Sequence, residues 1–329
     1  MDRRTFGKLM VPTLAGMTSI RPASAKKRAL DLETQLQQFK AFPGTTSFRI
    51  DVGRDEVASD SAADQLFVAS AIKTFILCQY LRDVEAGRLS EVEQLPVNDS
   101  VRMSDSPTFL GVTGTTEARS ILEAMITHSD NTATDIALLR IGPNRVRSFI
   151  AAARLGATLI PDSTRRFFSY NVGAPLGVDI GWSGVQQVLA SGHTIGPPRP
   201  PLNNQVTLAS SANDLVSYYK RALAGRFFTE RATLAEFKRI HLTNLFFPDD
   251  TVGYAKGGSE DGVADSTTVA DFHALSYAGQ MVVKATPVTF CFVVNWMSVD
   301  PNSTSAALTP AFGDVIQGCL VAIKQLLLG

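Results

Sequence analysis

The sequence predicts an α/β (α+β) fold: an antiparallel sheet flanked by N- and C-terminal helices, with an all-helical lobe inserted between its strands. Three observations predict it. Strand-like apolar runs occur near both ends of the chain, at Phe48-Ile50-Val52 and again at Met281–Val283 and Val288–Trp296. The stretch from about 86 to 213 reads as helices and loops. Helical periodicity then closes both termini. Strands from the two ends most simply form one sheet, which divides the chain into an α/β lobe (30–69 plus 214–329) and a helical lobe (70–213). With 329 residues, 45% of them hydrophobic and 19% charged, the chain has ample length to bury a core.

Each element has its own justification. Leu32, Leu36 and Phe39 share one side of a helix over Leu30–Phe39. Phe48, Ile50 and Val52 alternate with Arg49 and Asp51, as in a strand. Leu66-Phe67-Val68 is a short apolar lead into Ser70, and from Ser70 to about Glu85 Ile72, Phe75, Ile76, Tyr80 and Leu81 recur at helical spacing. Thr116–Met125 and Asn131–Leu139 are the clearest helices of the middle. A further helix is expected near Val185–Leu189, and the Gly-Pro-Pro-Arg-Pro-Pro run at 196–201 is a loop. Asn213-Asp214 reads as the cap of a helix carrying Leu215, Val216, Tyr219 and Leu223, and Phe312–Leu328 reads as the last helix.

The extreme N-terminus carries Arg3-Arg4, a modest apolar stretch from Leu9 to Ile20, and Ala23-Ser24-Ala25. This predicts a cleavable twin-arginine-type export signal over 1–25 and a periplasmic or secreted protein; the alternative is a basic helix that stays attached. The apolar stretch is shorter than the roughly 20 residues a spanning helix needs, so no stable membrane span is expected after cleavage. Without residues 1–25 the chain has 27 basic and 30 acidic residues, a net charge of −3, and nucleic acid is not an expected partner. Cys78, Cys291 and Cys319 are an odd number in apolar runs, which predicts buried thiols; a Cys291–Cys319 bridge is conceivable if the last strand packs on the last helix. His128, His193, His241 and His273 lack metal-ligand spacing, and no cofactor or metal is expected.

Ser-x-x-Lys occurs three times, at Ser24/Lys27, Ser70/Lys73 and Ser217/Lys220. Only the second stands at a strand-to-helix junction, where residues i and i+3 share a face and free N–H groups favour developing negative charge. Two further motifs follow in order: Ser129-Asp130-Asn131, and Lys256-Gly257-Gly258-Ser259 ahead of the β-rich segment. Each has a bland reading alone: a helix cap for Ser70, a cap and turn for Ser129–Asn131, a solvated strand end for Lys256. Ser-x-Asn also occurs at 169–171 and 211–213.

As an ordered set, the three motifs and the stretch "ILEAMITHSDNTATDIALLRIG" resemble class A β-lactamases and the related penicillin-binding serine hydrolases, over most of residues 30–329. The resemblance implies the β-lactamase/transpeptidase-like fold and an acyl-enzyme formed on Ser70. It implies Lys73 as the base, its pKa lowered by the Lys256 ammonium, and Ser129 as proton relay to the leaving nitrogen. Asn131 would hold the substrate amide. Lys256 would meet a substrate carboxylate or tune Ser129, and backbone N–H groups of Ser70 and Ser259, beside Gly258, would form the oxyanion hole. The expected partner is a small β-lactam or acyl substrate, and the expected state a monomer.

Two departures stand out. The family's Arg-x-Glu-x-x-x-Asn loop reads here Arg165-Arg166-Phe167-Phe168-Ser169-Tyr170-Asn171, so Phe167 holds the place of the deacylating glutamate while Asn171 keeps its own. Asp162 and Asp179 are the candidate substitutes, each equally a loop ion-pair partner. Gly257 stands where the family prefers a hydroxyl, which removes one donor to a substrate carboxylate. The segment 172–204 also looks longer than the family's. Three readings follow: a slow β-lactamase-like hydrolase, a D,D-peptidase or penicillin-binding protein, and a covalent binder or sensor without turnover.

Overall fold

The computed structural model describes residues 23–262 and 271–329, with backbone alone for 23–30 and 301. The expected export signal lies outside these residues except for 23–25, which open the first helix.

The chain runs through α1 (Ala23–Lys40), β1 (Thr45–Val52), β2 (Asp55–Asp60), β3 (Leu66–Phe67) and a 3₁₀ turn (Ala69–Ile72) that leads into α2 (Lys73–Glu85). Next come β4 (Gln94–Val97), β5 (Gly114–Glu117), α3 (Ala118–Thr127), α4 (Asn131–Ile141), α5 (Pro143–Ala152), α6 (Thr164–Asn171) and α7 (Gly181–Ser191). Then follow β6 (Ala209–Ser210), α8 (Ala212–Leu223), α9 (Arg231–His241), β7 (Leu242–Thr243), β8 (Val252–Asp261), β9 (Asp271–Val283), β10 (Thr286–Ser298) and α10 (Ser305–Leu328). The main sheet has the order β2-β1-β10-β9-β8-β7, and every neighbouring pair is antiparallel.

Both faces of this sheet are covered, which explains why Phe290–Val294 reads as an unbroken apolar run rather than an alternation. Phe290, Phe292 and Val294 join α1 and α10 in one core, with Phe39, Ile316 and Leu320. Phe39 stands at 5.0 Å from Phe292 and 5.8 Å from Phe48, edge to face. Cys291 and Val293, one residue out of phase, join a second core with Leu215 and Tyr219 of α8 and the helices around α2. The polar positions of β1 are also occupied on that face. Asp51 accepts from Arg49 Nε at 2.8 Å and from Lys220 Nζ at 2.7 Å, and Arg49 Nη1 donates to Asn213 Oδ1 at 2.9 Å. The third Ser-x-x-Lys lysine is therefore an anchor of α8 on the sheet.

Several boundaries differ from expectation. The residues at the expected start of α3 are paired as β5 with β4, Thr116 opposite Leu95. The cap of α8 is Ser211, whose hydroxyl accepts from Asp214 N, while Asn213 serves Arg49. The last helix begins at Ser305, capped by Thr304, with Pro310 inside it. By length and composition α10 could cross a bilayer; one face of it is packed in the core with α1 and the sheet. The conceivable Cys291–Cys319 bridge does not form, because the two residues lie on opposite faces of the sheet. Among the described residues no cluster suits a metal ion.

Burial pushes the thiols of Cys78 and Cys319 up to about 12, and that of Cys291 further. All three should resist an aromatic disulfide reagent in the native state and react together on unfolding. A single fast-reacting thiol would contradict this packing.

Candidate active site

The nucleophile position is set by how the chain enters α2. Asn295 of β10 grips Phe67 from both sides, Oδ1 accepting from its N–H at 2.8 Å and Nδ2 donating to its carbonyl at 2.9 Å. Ser276 Oγ donates to Val68 O at 2.7 Å. Ala69 then takes the left-handed conformation (φ 46°), and Ser70 sits in the 3₁₀ turn before α2. Strand β8 passes flush against this corner: a Cβ on Gly258 would stand 2.5 Å from Val68 O and 2.6 Å from Ser70 N, so only glycine fits. Ser70 N and the β8 backbone leading into Ser259 are thereby brought together.

Ser129 forms the other wall. It is also left-handed (φ 56°), between α3 and α4. Asp130 fixes the turn, accepting from Ala133 N at 2.8 Å as the cap of α4 and from Thr108 N and Phe109 N at 2.9 Å. Fully buried Lys73 donates to Ser129 O, to Ser129 Oγ at 3.3 Å and to Asn131 Oδ1 at 2.8 Å. Lys256 comes from the sheet side, donating to Ser129 Oγ at 2.9 Å and to Gly257 O at 2.9 Å. Two lysines thus meet on one hydroxyl. Asn131 Nδ2 donates to Ser104 O at 3.2 Å.

Two expectations are corrected in detail. Lys73 shares a helix turn with Ser70, but its hydrogen bonds go to Ser129 and Asn131, because the left-handed turn presents a carbonyl to the buried ammonium. Burial, rather than Lys256, is what lowers the Lys73 pKa, to about 7; Asp130, Asp135, Asp105 and Glu260 oppose the shift. The like-charge effect falls on Lys256, which burial first and Lys73 second hold well below the usual lysine range. Burial, with Lys256 adding to it, brings His241 down to about 4, so it is neutral at pH 7.

The loop carrying α6 is pinned from inside. Arg165 makes a two-pronged pair with Asp179, both contacts at 2.7 Å, and donates to the carbonyls of Asp99, Ser100 and Arg102. Asp162 is paired with Arg147 at 2.6 Å and Arg166 at 3.0 Å. Both candidate substitutes for the loop glutamate are therefore committed to ion pairs. Phe167 stacks on Phe67, ring centroids 5.5 Å apart. Asn171 is buried, and its Oδ1 has no hydrogen-bond partner among the described residues. The segment after α7 returns on the same loop, where Arg199 donates to Tyr170 O at 2.6 Å and Ala174 O at 2.7 Å.

From Ser129 and Lys256 a cleft of about 340 Å³ runs past Gly257 toward Thr243, Leu245 and Phe246. Two acids that the motifs do not contain, Asp105 and Glu260, act on the Lys73 ammonium. Glu260 lies two residues beyond Gly258 and four beyond Lys256, on their face of β8. Counting alternate residues from Lys256 would have found it. Asp105 has no such signal; its carbonyl accepts from Asn131 N at 3.2 Å only because the loop before α3 folds back.

Replacing Arg165 by alanine should cost about 1–3 kcal/mol, since it strands the carbonyls of Asp99, Ser100 and Arg102 while the partly exposed Asp179 regains water. Urea unfolding measures it; a loss below about 1 kcal/mol would show that Arg165 does not pin the loop.

Comparison with solved structures gives the fold. PBP-A, including a point mutant solved as an acyl-enzyme complex with penicillin G, matches 90% of this chain over 97% of its own, at TM-score 0.61 and 17% identity for that mutant. The TLA-3 extended-spectrum beta-lactamase matches 92% of this chain and 100% of its own, at TM-score 0.67 and 14% identity. A beta-lactamase from Chitinophaga pinensis matches 91% and 98%, at TM-score 0.63 and 15% identity. No curated protein matches the chain by sequence. The fold is the β-lactamase/transpeptidase-like one. The family model described as "Beta-lactamase enzyme family" matches residues 31–234, and the chain belongs to that family.

Proposed function

We propose that this chain is an exported serine hydrolase of the class A β-lactamase type, which opens a β-lactam or related amide or ester through a Ser70 acyl-enzyme and releases the acyl group slowly. The observation that carries the reading is the Ser129 hydroxyl held between Lys73 and Lys256, beside the corner that presents Ser70. Lys73, with a pKa near 7, takes the Ser70 proton as Oγ attacks the carbonyl carbon. The carbonyl oxygen becomes an anion facing the backbone N–H groups of Ser70 and Ser259. As the C–N bond breaks, Ser129 gives its proton to the leaving nitrogen and regains one from the neighbouring lysines.

Slow release rests on Phe167. An aromatic ring occupies the position from which the family's glutamate activates water, and Asp162 and Asp179 are held by arginines. The same feature favours a second reading, a D,D-peptidase or penicillin-binding protein in which a lasting penicillin adduct is the normal outcome. Export by the twin-arginine route is part of the proposal and is supported by Arg3-Arg4 and Ala23-Ser24-Ala25.

Intact mass of the mature protein with benzylpenicillin, followed in time, tests the reading. A Ser70-dependent adduct should form and persist, and Ser70→Ala should give none; an adduct that clears within seconds would sink the claim of slow release. Phe167→Glu should speed clearance by ~10²–10⁴, at a lower Tm. Unchanged clearance in a folded Phe167→Glu protein would remove position 167 from the explanation.

The acylation rate should also rise with pH through about 7 and level off above it. Lys73 accepts a proton only when neutral, and its lowered pKa places that transition near 7. A rate that is flat from pH 5 to 9 would exclude Lys73 as the base.

A further inference from the structure

The cleft beside Ser129 does not stay on one face of the sheet. β7 covers only Gly253 and Tyr254 of β8, and the cleft passes round the edge that follows, from Ala255 to Ser259. On the near side it touches Ser129, Lys256 and Gly258, where the leaving group would take its proton. On the far side it reaches Leu275, Tyr277 and Phe312, which belong to the core under α10. Among the described residues, Lys256 is the only lysine, arginine or carboxylate side chain in its lining, and Lys256 Nζ donates to Ser129 Oγ and Gly257 O. The histidines of the lining are His128 and His241, and His241 has both ring nitrogens engaged, by Phe237 O at 3.0 Å and Thr74 Oγ1 at 2.9 Å.

The far wall is apolar. Tyr277 stands opposite Gly257 in the strand register, and a Cβ at 257 would come within 3.2 Å of its ring, so aromatic carbon lies where a side chain at 257 would begin. The hydroxyl protons of this wall are spent inside the protein: Tyr277 donates to Leu245 O at 2.5 Å and Thr309 to Ser305 O at 2.8 Å. An independent observation comes from the loop after β7. Leu242 and Leu245 line the cleft while 59% and 54% exposed, and half-buried Phe246 is held left-handed (φ 63°). Its ring meets Tyr277 edge to face at 5.1 Å and lies on Gly313 of α10, where there is no room for a Cβ. A bulky residue is strained in that conformation and keeps it only where its neighbours fix it. Exposed apolar side chains gathered at the mouth of a cleft, rather than scattered singly, mark a surface that takes apolar groups.

We propose that the leaving-group side of the site is an apolar subsite walled by Leu245, Phe246, Tyr277 and Phe312, and that the preferred substrate is an ester or amide whose departing half is an uncharged aryl or branched alkyl group. This rests on the serine-acylation reading above and deepens it. A volume of about 340 Å³ falls at the lower end of the range for small-molecule sites. A carboxylate on the departing half would lose its water among apolar side chains. It would meet one amine, Lys256, which burial first and Lys73 second hold well below the usual lysine range. An uncharged group carries no such cost. The Ser70 Oγ–acyl bond forms as the bond to the departing oxygen or nitrogen breaks, Ser129 supplies that atom with a proton, and a neutral alcohol or amine leaves. Water later frees the acyl group as the acid.

Phenyl phenylacetate and 3-carboxyphenyl phenylacetate give the same acyl-enzyme and differ by one carboxylate on the departing ring. The ratio of their Ser70 acylation rates, each divided by that ester's own hydroxide-catalysed hydrolysis rate, is the test. The native protein should favour the phenyl ester by roughly tenfold, what about 55 Å² of apolar contact is worth. Leu245→Ala/Phe246→Ala should bring the ratio down toward one. Leu245→Arg, a change at an exposed position, should reverse it in favour of the carboxylate, and it decides the matter if the double variant fails to fold. Effects on the lysine pair act on both esters and cancel in the ratio. A native ratio at or below one would overturn the subsite and return Lys256 to holding a carboxylate; a ratio unmoved in the folded variants would also overturn it. If neither ester acylates Ser70, the serine-acylation reading fails by itself, and the subsite is read from ligand-detected NMR with phenol and 3-hydroxybenzoate. Tighter binding of phenol, reversed by Leu245→Arg, supports it; any other order overturns it.

Discussion

One hydroxyl joins the two halves of this molecule. Ser129 lies in the turn between α3 and α4 and is held by Lys73 from α2 and by Lys256 from the sheet. Burying two amines around one oxygen is costly, since each ammonium loses its water. The surrounding structure serves to make that arrangement tolerable. Asp130 caps α4 and ties down Thr108 and Phe109, which holds Ser129 in its left-handed turn. The turn aims a carbonyl at Lys73, and Asn131 adds a second acceptor. Ala69, Asp105 and Ser129, three non-glycine residues with positive φ, stand around the site. Each costs on the order of 1–2 kcal/mol, and such strain persists only where neighbours over-determine it.

The sheet's contribution is closeness. β8 lies against the Ser70 corner because Gly258 has no side chain, and Asn295 and Ser276 hold the strand before Ser70 through its backbone. The same strand then carries functional groups at alternate residues: an amine at Lys256, a bare backbone at Gly258, a carboxylate at Glu260. The spacing of these three residues on one face follows directly from strand phase.

Much of this is legible in the sequence. Apolar runs mark the strands of the sheet, and the order of Ser70/Lys73, Ser129–Asn131 and Lys256–Ser259 groups those residues as one site. What is not legible depends on neighbours distant in the chain. Asn213 and Ser211 are equally good caps on paper; Arg49, more than 160 residues away, claims Asn213. Thr116 suits a helix start as well as a strand, and pairing with Leu95 decides it. Pro310 looks like a barrier ahead of the last helix, yet the cap at Thr304 starts the helix before it. Helical spacing puts Lys73 beside Ser70, and only a left-handed carbonyl redirects it. Asp105 reaches the backbone of Asn131 because its loop folds back on the start of α4, which no local pattern encodes.

Phe167 has a consequence for how such a site could change over generations. The ring props Phe67, the residue whose backbone positions the corner ahead of Ser70. Exchanging it for an acid would supply a base and remove a prop in the same step, with a loss of the order of a deleted buried phenyl group, ~3–5 kcal/mol. Proteins near their stability threshold rarely survive that in one move. On the proposed reading of slow release, an acid at this position would therefore have to be preceded by stabilising substitutions elsewhere, and a lineage without them would keep the ring however strong the selection for speed.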